Sequence, residues 1–82
     1  MVTVRYFAAA RAAAGVHSED IDIGDGATVG DALEAITARH GEPLGKVLPA
    51  CSFLLDSVTV RDHETLLPPI AELDVLPPFA GG

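Results

Sequence analysis

The feature that most constrains the fold is one stretch of helical periodicity near the middle of the chain. Between residues 29 and 39 apolar side chains recur on one helix face, and Gly41 and Pro43 then end the pattern. The stripe comprises Val29, Ala32, Leu33, Ile36 and His40. Thr28 supplies an N-cap, and Asp31 an acid in the first turn. A helix with one apolar face must pack on another element, so we expect one main helix on a sheet.

Short β-type segments on both sides of this helix predict the sheet. Residues 2–7 alternate, with Val2, Val4 and Tyr6 on one face and Thr3, Arg5 and Phe7 on the other. An alanine-rich helix follows over residues 8–14, ended by Gly15. Residues 16–23 alternate again and predict a second strand, antiparallel to the first.

The remaining strands are predicted over residues 51–55, 58–60 and 73–76, after an irregular stretch over 44–49. Pro68-Pro69 excludes a central strand at that point. The order of elements is that of the β-grasp (ubiquitin-like) fold, an α+β fold in which one main helix packs on one face of a mixed sheet. We expect a β-grasp domain over residues 1–76 and an extended tail over 77–82.

Composition narrows the classes of partner. The formal net charge is −7, with 12 acidic and 5 basic residues, which argues against nucleic acid and against anionic membrane surfaces. The sequence has no apolar run near the roughly 20 residues of a membrane span, and its start lacks the pattern of a signal peptide. Its one cysteine, Cys51, cannot form an internal disulfide. A reducing cytoplasm is therefore the expected compartment.

The last residues, Leu76-Pro77-Pro78-Phe79-Ala80-Gly81-Gly82, carry the most specific functional signal. Prolines stop the sheet and favour extended backbone, and two final glycines leave a carboxylate that no side chain obstructs. That carboxylate is not an electrophile until its oxygen becomes a leaving group. Because the sequence has no phosphate-binding Gly-Lys-Ser/Thr motif, we expect another protein to activate it. A frayed terminus without function is the alternative for two glycines taken alone.

Across nearly its whole length the chain resembles the MoaD/ThiS sulfur carriers, and among them the small subunits of molybdopterin synthase (MoaD type). The resemblance rests on three segments: Val2-Thr3-Val4-Arg5-Tyr6-Phe7-Ala8-Ala9-Ala10-Arg11, Thr28-Val29, and the tail from Leu76 to Gly82. The main departure lies at Pro68-Pro69-Ile70-Ala71-Glu72-Leu73, where the family usually has an acidic turn that contains glycine.

The resemblance implies a sulfur carrier rather than an isolated enzyme, with Gly82 as its reactive residue and Gly81 beside it. An adenylating partner (MoeB type) would use ATP on Gly82, and a sulfur donor protein would convert the product to a thiocarboxylate. The tail would then enter the large synthase subunit (MoaE type) and deliver sulfur to cyclic pyranopterin monophosphate. This chain itself would bind no cofactor. Residues expected to bind partners are Phe7, Arg11, Leu76, Pro77, Pro78, Phe79 and Ala80.

Several alternatives stay open. Phe7 and Leu76 are nearly as well explained as ordinary core residues. Cys51 has no basic neighbour in sequence that would lower its pKa, so it is interpreted as a small, partly buried residue and not as the sulfur carrier. The histidines lack metal-ligand spacing, so no metal site is expected. The same tail chemistry also suits thiazole or cysteine biosynthesis, a protein modifier that joins Gly82 to lysines, or a plain interaction module with an inert tail.

Overall fold

The computed structural model describes residues 1–78; the expectations for Phe79, Ala80, Gly81 and Gly82 lie outside the described residues. Its elements in chain order are β1 (Val2–Tyr6), α1 (Ala8–Ala14), β2 (Ser18–Ile21), α2 (Val29–His40), α3 (Glu42–Val47), a 3-10 turn (Leu48–Ala50), β3 (Ser52–Leu55), β4 (Val58–Thr59) and β5 (Ala71–Leu76). Among these residues no helix is long and apolar enough to cross a membrane.

Five strands form one mixed sheet in the order β2-β1-β5-β3-β4. The first and last strands run parallel at its centre, with Val2 opposite Ala71 and Tyr6 opposite Val75. All other pairings are antiparallel, including the predicted pairing of β1 with β2. The predicted β-grasp fold is therefore confirmed.

The core lies between the sheet and α2. Val4, Tyr6, Leu73 and Val75 have no exposed surface, and on the facing helix neither does Ile36. Burying side chains of this size contributes roughly 1.5–3 kcal/mol each. The other helix positions of the predicted stripe that are buried are Val29, Ala32 and Leu33. The alternation predicted for β1 is confirmed, because Thr3, Arg5 and Phe7 lie on the opposite, partly exposed face.

The predicted start of α2 is confirmed in detail. The backbone N–H of Asp31 donates to Thr28 Oγ1 at 3.1 Å, and the backbone N–H of Thr28 donates to Asp31 Oδ2 at 2.9 Å. This reciprocal capping box satisfies backbone donors that the first helical turn leaves unpaired. The first helix, α1, ends as expected at Gly15, whose φ of 78° is a left-handed conformation that favours glycine.

The prediction of an irregular stretch over residues 44–49 was wrong. The structure has α3 and the 3-10 turn here, and Leu44 and Leu48 are buried against the core. Pro43, predicted to end α2, also lies in the first turn of α3, where a missing N–H costs nothing. The boundaries of the strands shift by a few residues as well; β5 begins at Ala71 instead of residue 73.

A polar cluster on the helix side of the sheet fastens β1, β2 and α2 together. The Glu19 carboxylate accepts hydrogen bonds from Tyr6 Oη at 2.5 Å and from Arg39 Nη1 at 3.0 Å, and it pairs with His40 Nε2. Tyr6 is fully buried, whereas the side chains of Glu19 and His40 are each 14% exposed. His40, predicted as the last position of the apolar stripe, therefore ends α2 with a polar contact to β2.

The surroundings of Glu19 shift its pKa. Burial raises the pKa, but the hydrogen bonds from Tyr6 and His40 and the charges of His40 and Arg39 outweigh burial and leave the pKa below its usual value. Burial first, and then the hydrogen bond to Glu19, raise the pKa of Tyr6. Since a carboxylate with a lowered folded pKa binds protons more readily when unfolded, Glu19 stabilises the fold above its unfolded pKa and less so in acid.

We expect Glu19→Gln to flatten the acid limb of the stability curve. Wild-type free energy of unfolding should fall as the pH drops below about 4.3, the ordinary value for glutamate, and the variant should lose this part of the slope. Urea unfolding between neutral pH and acid measures it. Glu34→Gln, at an exposed position on α2, is the matched control and should keep the wild-type slope. Identical slopes for wild type and Glu19→Gln would contradict the assignment.

Candidate functional site

The last strand delivers the chain to one end of the sheet. Leu76 pairs with Ser52 of β3 and is the final residue of β5, and exposed Pro77 and Pro78 follow it. The proline ring removes the N–H that a further ladder hydrogen bond would need, which explains why the strand stops here. The division into a domain over 1–76 and a tail over 77–82 stays a prediction, because four of the six tail residues lie outside the described part.

Phe7 lies beside this exit. Its backbone N–H donates to the carbonyl of Val75 at 3.0 Å, which continues the parallel pairing of β1 with β5 by one residue. Both Phe7 and Leu76 are half-buried on the sheet face opposite α2. Neither residue belongs to the buried core cluster, and both give apolar surface at the point where the tail leaves the sheet; their role in partner binding stays a prediction.

Two arginines lie close to the Phe7 ring. The guanidinium carbons of Arg5 and Arg11 lie 5.7 Å and 5.8 Å from the ring centroid, within reach of cation–π attraction. Arg11 is fixed further by a hydrogen bond from Nε to the Tyr6 carbonyl at 3.1 Å. The predicted residue Arg11 is therefore brought next to Phe7, and both lie at the end of the sheet from which the tail leaves. We call Phe7, Leu76 and the two arginines the exit surface.

Arg5 is held in place by two acids of the neighbouring strand. Its Nε and Nη2 donate to the two carboxylate oxygens of Asp74 at 2.7 Å and 2.9 Å, and Nη2 lies 3.2 Å from Glu72 Oε1. The hydrogen bond to Asp74 raises the pKa of the Arg5 guanidinium, so it stays charged. Asp74 is only 5% exposed, and both of its carboxylate oxygens are engaged by this one side chain.

Sequence reasoning missed Arg5 and Asp74 as parts of the site. A signal was present, since Arg5 lies on the Phe7 face of the alternating first strand and Asp74 interrupts an apolar strand. What the sequence alone does not supply is the parallel register that places Arg5 opposite Asp74. The register turns two isolated charges into a bidentate pair.

The surroundings of Cys51 do not favour a reactive thiol. Its Sγ contacts the carbonyl of Val47 at 3.3 Å, and burial raises the pKa of the thiol. A raised pKa leaves less of the reactive thiolate at neutral pH. The interpretation of Cys51 as a partly buried structural residue is confirmed.

A model of the ThiS family matches residues 4–82, which includes the exit surface and both final glycines. The chain belongs to the ThiS family. A curated relative of Chlamydomonas reinhardtii, named molybdopterin synthase sulfur carrier subunit, is 37% identical over 99% of this chain and 98% of its own length. That match agrees with the resemblance to MoaD-type sulfur carriers found in the sequence.

Solved structures with this ThiS-family fold include proteins of two functional descriptions. The small archaeal modifier protein 1 of Methanosarcina acetivorans superposes with a TM-score of 0.82 at 28% identity and covers 99% of this chain and 95% of its own. A chain from the complex of subunits 1 and 2 of the Helicobacter pylori molybdopterin-converting factor matches with a TM-score of 0.69 at 26% identity. The match covers 99% of this chain and 97% of that one. The fold alone does not separate carrier from modifier.

We expect Arg5→Met to cost more stability than Glu72→Gln. The first leaves the buried Asp74 carboxylate without its partner, whereas the second removes a half-exposed contact of a kind that contributes little. Midpoints of urea unfolding for the two variants and wild type give the comparison. Equal midpoints for the two variants would show that Asp74 finds other partners and that the pair does not organise the exit surface.

Proposed function

We propose that this chain is the sulfur carrier of a molybdopterin synthase, working through a thiocarboxylate on Gly82. The observation that carries the proposal is the full-length match to a relative named for this role, together with a family match that runs through residue 82. The exit surface supports it, because an apolar patch with the Arg11 guanidinium beside it, at the point where the tail leaves the sheet, gives partners a place to bind while the tail enters their active sites.

The proposed chemistry needs two partners before sulfur can be delivered. In an adenylating enzyme the Gly82 carboxylate attacks the α-phosphorus of ATP and pyrophosphate leaves. Hydrosulfide from a donor then attacks the carbonyl carbon of the acyl-adenylate, AMP leaves with the bonding electrons, and loss of the S–H proton gives the thiocarboxylate. In the large subunit this sulfur passes to cyclic pyranopterin monophosphate, and water replaces it on the carbonyl carbon, which regenerates the Gly82 carboxylate. The chain contributes the carrier atom and the binding surface, and ATP is bound by its partner.

The exit surface suits the large synthase subunit as a partner. The Helicobacter pylori match is a complex of two subunits, which supports a two-protein assembly for this chain as well. Phe7 supplies an apolar anchor, and Arg11 supplies a cation beside it that is already fixed by its hydrogen bond to Tyr6. A side chain fixed before binding loses less entropy when the partner arrives.

Deleting Gly82 should abolish sulfur loading and leave the fold intact. The full chain, incubated with its adenylating enzyme, ATP and sodium sulfide, should gain the mass that separates sulfur from oxygen. The deleted chain should keep its original mass. Addition of a large synthase subunit and pyranopterin substrate to the loaded chain should then yield molybdopterin. An unchanged mass of the full chain with an active cognate enzyme would overturn the carrier function.

A protein modifier is the second candidate, and the match to small archaeal modifier protein 1 favours it. The two functions part after adenylation, since a modifier transfers the Gly82 acyl group to a lysine amine. The same adenylation reaction, run without sulfide and with a crude acceptor fraction from the cognate cells, should give no isopeptide-linked adducts if the chain is a dedicated carrier. Molybdopterin from the sulfide-containing reaction together with no adducts in this one supports the carrier; adducts here and no molybdopterin there support the modifier.

Phe7→Ala should weaken binding to the large synthase subunit by about tenfold or more, as expected for an aromatic anchor at the centre of an interface. Isothermal titration calorimetry measures the Kd, and thermal unfolding shows whether the variant is folded. Val58→Ala is the matched control, because Val58 is 68% exposed but lies on the far edge strand β4. Equal weakening by both variants would exclude a specific role for Phe7.

A further inference from the structure

The end of the sheet opposite the tail carries an unexplained apolar surface. Ile70 is 86% exposed, Leu66 is 66% exposed and Met1 is 62% exposed, whereas most large apolar side chains of the described residues are buried. The surface includes Pro68 and Pro69, the segment at which the sequence departs from its family. Isolated apolar side chains on a surface need no explanation, but a contiguous patch marks a binding site.

Met1, Leu66, Pro68 and Pro69 line a groove of about 430 Å³ between two loops, and Ile70 directly follows Pro69 in the chain. One wall is formed by residues 22–27 and the other by residues 66–69, with Met1 and Val2 between them. We call this the far-end groove. Its distance from the tail follows from β5, whose start at Ala71 adjoins the groove and whose end at Leu76 adjoins the exit surface. The five steps between them span about 16 Å.

The walls of the far-end groove are fixed by backbone hydrogen bonds. Leu67 N–H donates to the carbonyl of Ala27 at 2.9 Å and joins the two loops directly. Met1 links the second wall to the sheet, since its ammonium donates to the Pro69 carbonyl. Proline rings add rigid apolar surface whose backbone has little freedom left to lose on binding. The groove is therefore preformed, which lowers the entropy cost of occupying it.

Carboxylates surround the apolar floor. Asp22 and Asp25 line the groove itself, and both are exposed. Neither takes part in an ion pair among residues 1–78. The adjoining depression adds Asp31 and Glu34. Among the described residues that line the groove itself, the one cation is the Met1 ammonium, which is already bonded to Pro69; Arg39 shares another adjoining depression with Asp22.

We propose that the far-end groove docks a partner protein through a segment that alternates basic and apolar side chains. Apolar side chains would fill the floor beside Leu66 and Pro69, and lysine or arginine would face Asp22 and Asp25. A second copy of this chain fits the groove poorly, because two such surfaces would bring their carboxylates together on chains that each carry a net charge of −7. The site is separate from the tail, so both ends can be occupied together.

The test uses the full chain, labelled with ¹⁵N, and a short peptide of alternating lysine and leucine as the probe. The largest amide shifts are expected in residues 22–27, at Leu66 and Leu67, and at Val2, because Pro68 and Pro69 have no amide proton. Replacement of leucine by serine in the peptide, or of lysine by glutamate, should abolish these shifts. Deletion of Gly82 should leave binding unchanged, which separates this result from the success or failure of the carrier function.

Variants test the apolar contacts and the charged contacts separately. Leu66→Ser combined with Ile70→Ser should raise the Kd of the peptide by about tenfold, and so should Asp22→Asn combined with Asp25→Asn. The second pair should also remove most of the salt dependence. All four positions are exposed, so the fold should persist, and Val58→Ser is the control for loss of an exposed apolar side chain.

Four results would overturn the proposal. They are absence of binding, shifts concentrated at the exit surface, equal binding of the glutamate–leucine peptide, and equal weakening by Val58→Ser. The remaining alternative is that a second copy of the chain occupies the groove, and sedimentation equilibrium tests it. A dimer of the chain that disappears in the Leu66 and Ile70 variant would assign the groove to a second copy and would likewise reject a partner of different sequence.

Discussion

The structure depends on the parallel pairing of β1 with β5. The two strands lie at the centre of the sheet, and the residues that they bury against α2 include Val4, Leu73 and Val75. They also come from opposite ends of the sequence, so more than sixty residues must close into a loop before the pair can form. Closing that loop costs conformational entropy, and the cost is offset only when the apolar faces of the strands pack against the helix. The core therefore forms only when the first and the last strand are paired with each other.

The same pairing places the exit surface and the far-end groove at opposite ends of the sheet. Because the strands run parallel, the end of β1 and the end of β5 meet, and Phe7 comes to lie beside Leu76 and the tail. The starts of the two strands meet at the other end, which places Met1 against Pro69 and forms the far-end groove. An antiparallel arrangement would have placed Phe7 at the opposite end from the tail. The register also aligns Arg5 with Asp74, so the charged pair of the exit surface is a product of the central ladder.

Much of the fold could be predicted from local sequence patterns. The remainder depends on pairings between elements that are distant in sequence. The stripe of α2 and its Thr28 cap were predictable because helical period and capping chemistry are local properties. The helix α3 was missed because Pro43 fits both the end of one helix and the first turn of the next. The role of Glu19 was also missed, since its partners Tyr6 and His40 come from two other elements. Gly82 was found through chemistry and family resemblance, and its role stays a prediction.

The two ends of the sheet differ in charge. At the exit surface Arg11 lies beside Phe7 and Arg5 is paired with Asp74, whereas Asp22 and Asp25 at the far-end groove take part in no ion pair among the described residues. About 16 Å of strand separates the ends, roughly twice the screening length at physiological salt. Each partner therefore responds to the charges of the end that it approaches. Under the proposed function, in which the tail passes from an adenylating enzyme to the large synthase subunit, a partner could stay in the far-end groove throughout, because the two sites do not overlap.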